Sequence, residues 1–191
     1  MRQPDRVPPL ETPKPDEYRA HIRAGLAAED WRGPYEWAKS WIGCGGGARQ
    51  LDPWLAYVAS GMLKGEPRTA VHAVDLALRN WISDQADRAV LRWVRARIVR
   101  GPLQDPKSAL ADLFSAEQST PRWLADSALA DTQACQKEAE TSRKRKPAVS
   151  EAPNYVGTDT PVETPSQVVA AGAKPELWSD ILPLLPDPSR G

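Results

Sequence analysis

The chain has 191 residues, of which 25 are basic and 25 acidic, so its zero net charge gives no indication of a generic nucleic-acid binder. It has two cysteines, Cys44 and Cys135, which excludes the disulfide framework of a small secreted protein. No apolar run approaches the ~20 residues that cross a bilayer, and the first residues lack the apolar stretch of a signal peptide. We therefore predict a cytoplasmic protein that does not enter a membrane.

Proline divides the chain into a middle and two ends of different composition. Of the 19 prolines, five fall in residues 1–15 and eight in residues 147–191. Such segments lack the apolar content that supports a packed core. We predict four parts, which are a flexible N-terminal segment (1–14), a helical-repeat domain (15–146), a disordered linker (147–174) and a short linear motif (175–191).

In the middle of the chain apolar residues recur at helical spacing, and the alternation typical of strands is missing. Proline favours helix starts and glycine favours the left-handed residue that ends a helix. The start signals are Asp52-Pro53, Glu66-Pro67, Asp105-Pro106 and Thr120-Pro121, and the end signals are Gly65 and Gly101. They predict seven helices, near 16–31, 34–42, 52–64, 67–82, 85–100, 106–118 and 121–142, with a flexible loop at 43–47.

Three tryptophans followed by an aliphatic residue recur at Trp54, Trp93 and Trp123, with spacings of 39 and 30 residues. In this register residues 52–130 resemble tetratricopeptide repeats, whose units are helix pairs of about 34 residues. The matching positions are Trp93, Ala96, Ala109, Leu113, Ala116 and Pro121 and, less completely, Trp54, Gly61, Ala70, Val74 and Ala77. Arg97 and Val58 depart from the small residue that is usual in the family.

We predict an all-α fold of antiparallel helical hairpins. The resemblance implies a short solenoid of the tetratricopeptide type with a concave binding surface and a polar last helix. An ordinary helical bundle is the alternative, because small and large residues that alternate pack helices closely in either architecture. Trp54, Trp93 and Trp123, together with Trp81 on an apolar stripe, are predicted core anchors rather than an aromatic cage or base-stacking platform.

The strongest charge feature is a predicted helix whose basic residues have no acid between them. These candidate partner-binding residues are Arg88, Arg92, Arg95, Arg97 and Arg100. Guanidinium groups suit carboxylate and phosphate recognition, and salt bridges to neighbouring helices are the alternative role. A second basic cluster follows at the end of the last helix, where it either complements the helix dipole or attracts an anionic partner: Arg143, Lys144, Arg145 and Lys146.

Near the C-terminus an apolar cluster is flanked by acids and begins with a helix-start signal at Pro175. Its candidate anchors are Leu177, Trp178, Ile181, Leu182, Leu184 and Leu185. A short apolar segment on a tether is typical of peptides that bind a groove on another protein. Folding back onto the chain's own helical domain is the alternative.

These features predict a non-catalytic protein–protein interaction adaptor with two binding elements, the helical surface and the C-terminal motif. Its expected partner is another protein, one with an acidic segment, and the alternative is a nucleic-acid-associated protein that uses the arginine helix and residues 143–146. No catalytic residue, metal site or cofactor is predicted. His21 and His72 lack neighbours at the spacing of a metal site or a nucleophile–base pair.

Overall fold

Seven α-helices make up almost all of the computed structural model, which describes residues 12–145, with side chains to residue 141. They are α1 (Pro15–Ala27), α2 (Arg32–Gly43), α3 (Leu51–Leu63), α4 (Pro67–Asn80), α5 (Gln85–Arg100), α6 (Pro106–Glu117) and α7 (Arg122–Arg145). Residues 12–145 contain no strand. The all-α prediction is confirmed, and most helix ends agree with it within two residues.

The first helix ends four residues earlier than predicted. At the turn Glu29 has a positive φ of 54°, and the Asp30 amide donates to the Gly25 carbonyl. A Cβ on Gly25 would overlap the ring of Pro34, so this glycine allows α1 and α2 to approach closely.

Two helices begin at the prolines that predicted them, Pro67 and Pro106. Helix α3 begins two residues before Pro53, and α7 begins one residue after Pro121. Asp105 caps α6 as expected, because its carboxylate accepts the Ser108 amide at 3.1 Å. Thr120 does not cap α7, since its hydroxyl donates to the Ala116 carbonyl.

At the helix ends, the two glycines that were predicted to adopt a left-handed conformation differ. Gly65 adopts the predicted left-handed conformation, with a φ of 81°. The prediction for Gly101 is wrong, because its φ is −76° and the left-handed residue in that turn is Gln104, with a φ of 52°.

The glycine-rich segment after α2 is packed only at its second end, because Gly43, Gly45 and Gly46 are exposed. It passes through a left-handed Gly46 into a short 3₁₀ helix (Gly47–Arg49), in which Gly47 and Ala48 are buried. A Cβ on Gly47 would overlap the Trp41 carbonyl oxygen. The Trp54 indole donates to the Ala48 carbonyl at 2.8 Å, so the loop is fastened to the core.

The helices pack in chain order, each against the next, and the odd-numbered helices also form a row in which α3 contacts α1 and α5, and α5 contacts α7. Helix α5 is therefore central, and eight of its 16 residues are buried. Small residues of α4, α5 and α6 are buried, among them Ala70, Ala73, Ala77, Ala96 and Ala109. Ala70 faces Gly61 of α3, where small residues on both helices permit a close approach.

The tryptophans divide into buried and exposed members. Trp54 and Trp93 are each 3% exposed, as predicted for core anchors. The prediction is wrong for Trp123, which is 60% exposed at the start of α7, and for Trp81, which is 44% exposed just after α4 ends. Leu124, the neighbour of Trp123, occupies the core instead. The repeated Trp-aliphatic pair therefore does not mark the same environment in every helix.

Candidate partner-binding surface

Arg95 joins three helices through two carboxylates. Its Nε lies 2.8 Å from Asp75 Oδ1 of α4, and its Nη1 donates to Asp112 Oδ2 of α6. Burial acts to lower the pKa of Arg95, but its bonds to Asp112 and Asp75 outweigh that effect and raise it. Burial raises the pKa of Asp112, although Arg95 opposes the rise. Arg95 is thus a charged interhelical link rather than an open binding group.

Two further arginines of α5 face α7. Asp131 accepts the Trp93 indole N–H at 3.0 Å, lies 3.6 Å from Arg97 Nε and is 3.0 Å from Arg100 Nη1. Arg100 Nη2 also reaches Glu138 Oε1 at 2.8 Å, and these hydrogen bonds lower the pKa of Glu138 and raise that of Arg100. Here the structure shows the interhelical salt bridges that the sequence left as an alternative.

The remaining two arginines differ, because their hydrogen-bond partners are uncharged. Arg88 Nη1 donates to the Leu78 and Ile82 carbonyls at 2.6 and 2.8 Å, and Arg92 Nη1 donates to the Ser115 carbonyl at 2.8 Å. Within residues 12–141 neither guanidinium has a carboxylate at ion-pair distance. Their positive charges therefore remain uncompensated by a direct ion pair.

Two exposed aromatic residues are adjacent in the sequence to residues whose carbonyls hold these arginines. Trp81 lies between the two residues whose carbonyls hold Arg88, and Phe114, 50% exposed, precedes the residue whose carbonyl holds Arg92. Arg88 and Arg92 are one turn apart on α5 and so are neighbours on its surface. We name this group of Trp81, Arg88, Arg92 and Phe114 the arginine–aromatic surface.

The two acids that precede Arg88 in the sequence have another role. Asp84 is the N-cap of α5, and its carboxylate accepts the Asp87 amide at 3.0 Å. Burial, with Asp84 nearby, raises the pKa of Asp87. Both acids belong to the start of α5, and within residues 12–141 neither forms an ion pair with Arg88.

Sequence reasoning missed both aromatic members of the surface. Phe114 had a signal: Ala109, Leu113 and Ala116 form the buried stripe of α6, and Phe114 lies off it. For Trp81 no such signal exists, because the stripe of α4 extends to it and only the end of the helix at Asn80 turns it outward.

A different cluster of aromatic rings occupies the first hairpin. Tyr18 stacks on Trp41 and meets Trp37 edge-on, while the His21 and Trp37 rings are parallel with centroids 4.2 Å apart. Beside Trp37 is a shallow depression lined also by Gly33, Glu36 and Ser40. The Tyr18 hydroxyl is 3.1 Å from Cys44 Sγ, which makes the thiol part of this packing. The depression is open and holds no convergent polar groups beyond Glu36 and Ser40.

The other predicted sites lie at or beyond the limit of the described side chains. Residues 143–145 belong to α7 but their side chains fall outside the described part, as does Lys146. The six anchors of the C-terminal motif also lie outside the described residues. Within residues 12–145 no group of three or more His, Cys, Asp or Glu side chains is arranged to hold a metal ion.

Comparison with protein-family models, with curated proteins and with solved structures gives no match to this chain. Among the helices of residues 12–145, none combines the length and apolar character required to cross a membrane.

Proposed function

We propose that the protein is a non-catalytic interaction adaptor whose helical domain binds an acidic, apolar segment of another protein at the arginine–aromatic surface. The observation that carries the proposal is that two half-buried arginines, which form no direct ion pair within residues 12–141, are accompanied by two exposed aromatic rings. Arg92 acts on Asp112 only through a Coulomb interaction. Aromatic and arginine side chains dominate the binding energy of protein interfaces. An incoming carboxylate would supply the charge partner that Arg88 and Arg92 lack.

The fixed orientation of the two arginine side chains favours binding at the arginine–aromatic surface. Arg88 is fixed by two carbonyls of the α4 end and Arg92 by one carbonyl of α6, so both guanidinium groups are oriented before a ligand arrives. Groups that are already ordered lose less conformational entropy on binding. The resemblance of residues 52–130 to tetratricopeptide repeats also agrees with a peptide-binding role.

Nucleic-acid association through the arginine helix and residues 143–146 is the second candidate. It is less favoured because Arg95 and Arg100 are paired with acids, so the positive potential of the helix is lower than its sequence suggests. A phosphate backbone would also leave the exposed Trp81 and Phe114 rings without an evident role unless bases stack on them.

The proposal can be tested by selecting peptides from a displayed library on the full chain. We expect enrichment of sequences that combine Asp or Glu with Trp, Phe or Leu. The double variant R92E/F114A should lose this enrichment at least tenfold, because it reverses one charge and removes one ring.

The matched control is L129A/K137E, which makes the same two kinds of change at exposed positions of α7. If R92E/F114A selects the same peptides as the unchanged chain, the adaptor surface lies elsewhere. Binding of a DNA or RNA oligonucleotide that R92E/F114A abolishes and that falls steeply with salt would favour the nucleic-acid role instead.

A further inference from the structure

We infer that the partner segment carries charges of both signs, with an acidic residue opposite Arg92 and a basic residue opposite the neighbouring carboxylates of Asp75 and Asp112. This inference rests on the proposed function, because it specifies the ligand of the same part of the molecule. The order of charges along α5 and along the two helices that flank it leads to this assignment.

Three arginines of α5 form one line on the surface of the helix. Arg88, Arg92 and Arg95 are separated by four and then three residues, so their Cα atoms are about 6 Å and about 4.5 Å apart along the helix axis. The contacts with α6 agree with this line. Arg92 donates to the Ser115 carbonyl, and Arg95 pairs with Asp112, which lies three residues earlier on the antiparallel helix.

The contacts with α4 show the same order of charges. Arg88 donates to the Leu78 carbonyl, and Arg95 pairs with Asp75, three residues before Leu78. Arg79 follows Leu78 directly and forms no ion pair within residues 12–141, so it adds positive charge near the Arg88 end of the line. Positive charge therefore collects around Arg88, and the carboxylates lie at the other end.

At the Arg95 end, two carboxylates share one guanidinium group. This leaves one negative charge in excess within the group of Asp75, Arg95 and Asp112. Their side chains are 30%, 24% and 18% exposed, so a ligand can reach them. Burial raises the pKa of Asp112 and nearby Asp75 adds to the rise, while Arg95 and the more distant Arg92 oppose it. Arg95 therefore does not fully compensate the two acids.

A ligand that lies along this line meets positive charge and then negative charge within about one helical turn. A purely acidic segment would place like charge against Asp75 or Asp112, and such contacts select against a partner. A Lys or Arg at that position would supply the missing positive charge, while the acid of the ligand pairs with Arg92. The ligand is accordingly a segment with an acid and a base at a fixed spacing, and an acidic tract is a poorer match.

Peptides selected on the full chain test this inference. We expect the enriched sequences to carry a Lys or Arg at a fixed spacing from the acid. In a synthetic copy of the most enriched peptide, exchange of that base for Glu should weaken binding about fivefold, because an attraction becomes a repulsion. Isothermal titration calorimetry measures the change. A surface that only binds acids predicts the opposite sign, since the exchange adds negative charge to the peptide.

Variants of the two carboxylates locate the base. Asp75→Asn and Asp112→Asn, each made alone, should reduce the fivefold difference to about twofold or less, because Asn keeps an acceptor for Arg95 but removes the charge. Asp126→Asn is the control, since this exposed acid of α7 forms no ion pair with a described residue, and the difference should persist. Asp75 is the more exposed of the two, so its variant still decides the outcome if Asp112→Asn does not fold.

Three outcomes would overturn the inference and leave the adaptor function standing. The enriched peptides could carry acids without a base at fixed spacing, exchange of the base for Glu could leave binding unchanged or strengthen it, or the difference could survive in both Asp75→Asn and Asp112→Asn. If the unchanged chain enriches no acidic, apolar peptide, the proposed function and the inference both fail.

Discussion

The two halves of the described chain use different interactions between their helices. In residues 12–63 aromatic side chains connect the helices. Tyr18 packs on Trp37 and Trp41, and the Tyr35 and Tyr57 hydroxyls are 2.9 Å apart. In residues 67–141 small residues bring the helices together, and arginines of α5 bridge to acids on α4, α6 and α7.

The difference has a physical consequence. Aromatic pairs contribute about 0.5–1.5 kcal/mol beyond their burial and depend little on salt, whereas partly exposed ion pairs are weak and are screened. The Arg19–Asp52 pair between α1 and α3 is an ionic contact in the aromatic half, with Arg19 also over the Trp41 ring. We therefore expect salt and pH to act more strongly on the second half.

The largest expected effect tests whether a buried aromatic residue contributes more to stability than the ion pairs do in residues 67–141. Trp93→Ala should destabilise the fold by roughly 3–5 kcal/mol, because the ring is buried and its N–H bonds to Asp131. Trp123→Ala, its counterpart in the sequence repeat, should cost less than about 1 kcal/mol because that ring is mostly exposed. Chemical denaturation of both variants gives the comparison. Similar losses would contradict the assigned burial.

A second prediction concerns the aromatic half. Gly47→Ala should destabilise by about 1–3 kcal/mol, because the new methyl group overlaps the Trp41 carbonyl and must displace α2. Gly45→Ala is the control, since a Cβ there has no neighbour within 4 Å. Thermal unfolding with near-ultraviolet circular dichroism should report a lower melting temperature and a changed tryptophan signal for Gly47→Ala alone. Equal behaviour of the two variants would show that the loop is not packed.

The ionic links provide the third test. Arg95→Ala should cost about 1–3 kcal/mol, because it leaves Asp75 and Asp112 without their shared partner. Arg92→Ala should cost about 0.5 kcal/mol or less, since it loses one exposed bond to a carbonyl. The free energy of unfolding should be measured at low and at 1 M salt. If the loss for Arg95→Ala does not shrink in high salt, its origin is packing rather than charge.

The smallest expected effect is the pH dependence supplied by Glu138. Hydrogen bonds from Arg100 lower the pKa of Glu138 below its ordinary value of 4.5. A carboxyl whose pKa is lowered in the folded state stabilises the fold above its unfolded pKa, and this contribution disappears as the pH falls through the folded pKa. Glu138→Gln should therefore lower stability at neutral pH and flatten the loss of stability in acid.

The control is Glu140→Gln, which changes an exposed acid of α7 that forms no ion pair with a described residue. Urea unfolding from neutral pH to about pH 3 gives the slopes of both variants. If the two slopes coincide with that of the unchanged chain, the Arg100–Glu138 pair contributes nothing to acid stability.

Helix number, type and most boundaries followed from the sequence because their causes are local. Proline at a first turn, a capping aspartate such as Asp105 and the apolar stripe of α4 act within a few residues. The same local rules failed at Gly101 and Thr120, where groups in adjoining turns offered other hydrogen bonds. The burial of Gly47 was not predicted, because its reason is the nearby Trp41 carbonyl, which no local pattern reveals.

By itself the sequence determined that five arginines lie on one helix, but only the tertiary structure decided which of them are paired. Arg95 meets Asp75 and Asp112, which are 20 and 17 residues away, while Arg88 and Arg92 meet only carbonyls. Likewise Trp93 and Trp123 have similar neighbours in the sequence, but only Trp93 is buried where α5, α6 and α7 pack together. Ion pairs and burial depend on distances between helices, and side-chain periodicity within a helix carries no information about those distances.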